Sequence, residues 1–157
     1  MITKNDLIPI SIRGRVAFGI TCLEKLLNKW GVKNHKITEL LHVLWTFTSS
    51  TSLDIWERDI LSILPEDDND ESTHFGFDSL TVEQKEDLSD LIYYVIEIGR
   101  GNLYGGYVSD FTSEPTIKVI EIVIKNAVKI PELHKFKKSS AKEEHGWGTP
   151  VEPEYFR

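Results

Sequence analysis

The chain has 157 residues, 40% hydrophobic and 27% charged, with a formal net charge of −7 and a pI near 5.2. That length suits one domain with enough core to fold unaided; the acid excess repels phosphates and argues against a nucleic-acid partner. No run approaches the ~18 apolar residues of a membrane span, and the single cysteine, Cys22, rules out an intrachain disulfide.

The first twelve residues lack the apolar core of a signal peptide, so the expected compartment is the cytoplasm. Ser11 is placed to cap a first helix of about 18 residues. Its apolar stripe is Val16, Ile20, Leu23, Leu27 and Trp30, and Gly31 stops it. Cys22 falls in this segment and reads as a small buried hydrophobe. A second helix is expected from Ile37 to Phe47, ended by the hydroxyl run Thr48–Ser52. Asp54 with Glu57 resembles a capping box opening a third helix that carries Trp56, Ile60, Ile63 and Leu64 inward and ends at Pro65.

Residues 66–79 read as a loop, because like charges crowd it and Gly76 interrupts it. Thr81 and Gln84 form a second capping box, and Leu88, Leu91, Ile92, Val95 and Ile96 line the buried side of the helix that follows. The glycine-dense stretch from Gly99 to Tyr107 reads as an ordered turn. Ser113 is expected to cap a last helix, with Pro115 in its first turn and Pro131 after its end. Residues 135–145 are charged and read as mobile, whereas the aromatic residues of 146–157 predict a tail docked on the body. The expected architecture is an all-α, single-domain bundle of about five helices with an ordered C-terminal tail.

Charge is not spread evenly along this chain. Residues 54–97 hold fourteen acids against two bases, Arg58 and Lys85, for a local balance of −12, while residues 1–53 come to +4 and 98–157 to +1. No calcium-loop register fits: counting from Asp67 or Asp68 puts Ser72 or Thr73 where an EF-hand requires glycine. Gly99, Gly101 and Gly105 miss the dinucleotide fingerprint by one residue and follow a helix rather than a strand. The five histidines show no zinc spacing, and no nucleophile elbow is present. The pairs Asp54/Glu57, Glu83/Glu86 and Asp87/Asp90 share the i, i+3 spacing with which all-α nucleotide pyrophosphohydrolases hold Mg²⁺. That makes a magnesium-dependent hydrolase the alternative reading, although first-turn acids are also explained by capping and the helix dipole.

Three motifs point elsewhere. Arg13-Gly14-Arg15-Val16-Ala17-Phe18, Leu44-Trp45-Thr46-Phe47-Thr48-Ser49-Ser50 and Gly146-Trp147-Gly148-Thr149-Pro150 together resemble all-α immunity proteins of bacterial polymorphic or contact-dependent toxin systems. The resemblance implies a non-enzymatic inhibitor, without cofactor or metal, that binds one cognate toxin. Many such toxin domains are basic nucleases, which an acidic surface is suited to capture. Under this reading Glu66, Asp67, Asp68, Asp70 and Glu71 are the densest part of the contact surface, and Tyr104, Tyr107 and Trp147 are its candidate aromatic anchors. The plain alternative is that the acids only keep the protein soluble and the aromatics only pack the tail.

Overall fold

The computed structural model describes residues 1–103 and 108–157, and these are all-helical. Eight α-helices occur among them: α1 Lys4–Leu7, α2 Ile12–Trp30, α3 His35–Thr46, α4 Leu53–Ile63, α5 Glu71–His74, α6 Val82–Arg100, α7 Ser109–Lys125 and α8 His134–Lys137. The expected count of about five is therefore too low. Five of the helices have eleven residues or more; the other three, α1, α5 and α8, have four residues each, too few to show a helical period in the sequence.

Helix α2 is the centre of the molecule. Every residue from Ile12 to Ile20 is buried, including both arginines, and α3, α6, α7 and α8 pack around it. Ser11 caps it by accepting the Gly14 amide at 3.0 Å, and Gly31 ends it with a φ of 65°. Helix α3 starts two residues earlier than the apolar pattern suggests, because Asn34 accepts the amides of Lys36 and Ile37. Helix α6 opens with the Thr81–Gln84 box, its two hydrogen bonds 3.0 and 3.2 Å long.

The other two expected starts are corrected. Helix α4 begins at Leu53 with Ser52 in the cap position, so Asp54 and Glu57 form no box. Glu57 instead accepts from Arg100 Nε at 2.7 Å, a partner 43 residues away. Helix α7 begins at Ser109, which puts Ser113 in its buried interior and Pro115 in its seventh position. Pro115 has no amide to offer the Phe111 carbonyl four residues back. That carbonyl instead lies so close to Gly101 that a Cβ there would sit 2.5 Å from its oxygen.

Two segments that looked solvated are anchored by aromatic side chains. Residues 68–74 form a 3-10 turn and then α5 rather than a loop, and Phe75 and Phe77 behind them are buried. In the basic stretch after Pro131, Phe136 stacks on Phe156 and meets Phe18 edge-on at 5.3 Å. The side chain of Ser139 lies 2.5 Å from that of Ser11.

Arg13 draws the three sequence motifs together. Its guanidinium donates to the carbonyls of Gly148 (2.7 Å) and Ser50 (2.8 Å), while its own amide donates to the Trp147 carbonyl. The Val151 amide then donates to the Thr48 carbonyl. The tail is thus hydrogen-bonded to the start of α2 and to the turn after α3.

Candidate functional site: two clefts along helix α6

Helix α6 has two working faces. Its buried side meets α2 and α7, and Gly99 lets it approach α4 so closely that a Cβ would lie 2.5 Å from the Trp56 ring. On the side facing α7, Asp87 is buried and accepts from Lys125 Nζ and Asn126 Nδ2, each at 3.0 Å, and Glu83 joins Lys125 at 3.2 Å. On an adjoining stripe, exposed at Glu86, Asp90 and Tyr93 and half-buried at Glu97, these four residues follow one another at successive helical turns.

The first cleft, about 420 Å3, lies between α6 and the segment 68–77. Four carboxylates line it, Asp68, Glu71, Glu86 and Asp90, with Lys85 as its one base. Glu71 is half-buried, and burial pushes its carboxyl above the usual glutamate range. A hydrogen bond from Ser89 opposes that shift, and the charges of Asp68 and Asp90 add to it. A cation entering the cleft would offset the repulsion that Asp68 and Asp90 exert on Glu71.

The second cleft, about 250 Å3, lies between α6 and α7. Tyr93 and Phe111 stand on its sides at 57% and 55% exposure, with Tyr94, Pro115, Glu97 and Glu114 completing most of the lining. A third cleft, about 520 Å3 between α2 and α3, mixes Glu24, Lys25 and Lys33 with apolar side chains and gathers no set of like groups.

The expected site residues divide accordingly. Asp68 and Glu71 line the acidic cleft; Glu66, Asp67 and Asp70 are exposed beside it, with Asp67 spent on capping the 3-10 turn through the Asn69 amide. Trp147 is half-buried, packs against the core and lends its carbonyl to Arg13. It belongs to the tail's attachment and not to either cleft along α6. Tyr104 and Tyr107 lie outside the described residues. Tyr93 and Phe111 were not singled out from sequence, and Glu86 and Asp90 only as members of the candidate magnesium pairs, although the i, i+4, i+7, i+11 spacing of residues 86, 90, 93 and 97 marks one stripe of α6.

The i, i+3 carboxylate pairs are divided by the fold. Glu83 and Asp87 turn to Lys125, Glu86 and Asp90 to the acidic cleft, and Glu57 to Arg100. Among the described residues no group of three His, Cys, Asp or Glu side chains is arranged to hold a metal ion. Arg13 and Arg15 are held largely by backbone carbonyls. Cys22 is fully buried, its thiol pushed up to about 12 by desolvation. Also among the described residues, no helix is long and apolar enough to cross a membrane. Comparison with known proteins gives no match to a family model, a curated sequence or a solved structure.

Proposed function

We propose that this chain is a non-enzymatic immunity protein that binds and neutralises a basic toxin domain of a bacterial polymorphic or contact-dependent system. The carrying observation is the acidic cleft: Asp68, Glu71, Glu86 and Asp90 come from two segments of the chain and converge on one concavity with a single base. A basic protein surface seated there relieves the mutual repulsion of these carboxylates and competes with the toxin's own anionic substrate. The latch around Arg13 supports the same reading. The motifs behind the resemblance hold the body rigid, which leaves the α5–α6 surface free to differ from one toxin partner to another.

Co-expression with the toxin encoded by the neighbouring gene tests this. The expected result is restored growth and a complex that survives purification. Loss of both would remove the proposal. The purified protein should also leave nucleoside triphosphates intact in the presence of Mg²⁺; turnover would establish the hydrolase reading instead.

A further inference from the structure

We infer that the cleft between α6 and α7 is a socket for an arginine side chain of the partner protein, stacked between Tyr93 and Phe111. The inference deepens the reading above and rests on it for the partner's being a basic protein. Two large aromatic side chains more than half exposed on adjacent helices contribute little to folding, and such rings are favoured as binding anchors. Their faces attract cations, and guanidinium stacks on them more readily than ammonium does. Two carboxylates on the rim, Glu97 and Glu114, decide against an apolar occupant, since covering them with hydrocarbon strips their hydration without replacement.

Both carboxylates already hold basic side chains of this protein: Arg100 reaches Glu97 at 3.2 Å, and Lys4 reaches Glu114 at 3.0 Å. The rim is therefore built to take cations, and pairs this exposed exchange one cation for another at small cost. Lys118, the one base in the lining, is drawn toward Glu121 at 3.5 Å. Asp90 lies one turn before Tyr93 and Tyr94 and also lines the acidic cleft, so a basic segment lying along α6 meets both clefts in succession.

The test is a two-dimensional NMR titration of the protein with acetyl-Gly-Arg-Gly amide, with the citrulline peptide as the neutral control of the same shape. Saturable shifts are expected at Tyr93, Tyr94, Phe111 and Glu114, with the citrulline peptide binding at least roughly fivefold more weakly. The shifts should vanish in Tyr93→Ala/Phe111→Ala; Tyr93→Ser alone gives the same readout should the double variant fold poorly. The inference fails if these resonances do not move, if shifts are confined to residues 68–90, or if citrulline binds equally well. It also fails if the same resonances move with protein concentration alone, which would assign the face to a second copy of this chain. Growth rescue without a peptide response would discard this socket and keep the immunity reading; a peptide response without rescue would do the reverse.

Discussion

Arg15 lies at zero exposure in the middle of the molecule and is the residue on which most of the surrounding backbone depends. Its Nε donates to the Ile10 carbonyl at 3.1 Å, Nη2 to Leu7 at 2.8 Å, and Nη1 to the Ser109 carbonyl and the Thr112 hydroxyl at 2.8 and 2.7 Å. A buried cation is tolerated when its donors are met, and here one planar fork joins α1, the start of α2 and the first turn of α7. Lysine has a point charge and no fork. Arg15→Lys should therefore cost about 3 kcal/mol or more in urea unfolding, because several buried carbonyls lose their donor together. An unchanged midpoint would contradict this role. Glu71 gives a residue-scale prediction of opposite sign. Its folded-state carboxyl is shifted upward, so its ionisation opposes folding, and stability is lost as pH rises through the folded-state value. Glu71→Gln should raise the unfolding midpoint at pH 7, and the difference should close once the pH falls below the ordinary glutamate range, about 4. A constant difference at all pH values would show that the charge is not its source.

Among the elements, α6 and α7 show where sequence is legible and where it is not. The starts of α2 and α6 are readable because their caps are local: Ser11 to Gly14 and Thr81 to Gln84 each span three residues. The start of α7 is not, because no side chain caps it and the chain is positioned there from outside the helix. Asn102 accepts the Val108 amide and donates to the Val108 carbonyl, so the chain enters the helix with no Ser, Thr or Asp in the cap position. Pro115 sits deep in α7 for a similarly non-local reason, since Gly101, just past the end of α6, makes room for the Phe111 carbonyl. The acids of α6 were legible in number but not in destination. Asp87 and Asp90 differ by three residues, yet one is sequestered by Lys125 and Asn126 and the other faces the cleft. Only the packing of α7 makes that distinction. Asp87→Ala should cost roughly 1–3 kcal/mol by stranding Asn126 at the α6–α7 seam, measured by thermal or urea unfolding. Asp90→Ala, with its side chain in the open cleft, should change stability by less than about 0.5 kcal/mol. Equal losses for the two would contradict the assignment of faces.

At the scale of the whole molecule, the architecture was largely legible because the apolar periods of the five longer helices are strong. The single-turn helices α5 and α8 were not, since what fixes them is one or two aromatic side chains reaching the core from a polar stretch, as Phe75, Phe77 and Phe136 do. The local charge balance likewise gave the region of the proposed site and not its shape. Glu66, Asp67 and Asp70 are the most conspicuous acids in the sequence, yet the cleft takes Asp68 and Glu71 from that run and completes itself with Glu86 and Asp90 from α6. A run of charges is a property of the chain, while a concavity is a property of two segments brought together. In the proposed function this concavity receives a positively charged protein surface. The most direct test is the association rate of the purified protein with the basic toxin domain proposed as its partner, measured across ionic strength for the natural chain and for Asp68→Lys/Asp90→Lys. The expected result is a fast association that slows steeply with salt, and for the variant a rate lower by at least about tenfold at low salt with a flattened salt dependence. Identical rates and identical salt slopes for the two proteins would contradict it.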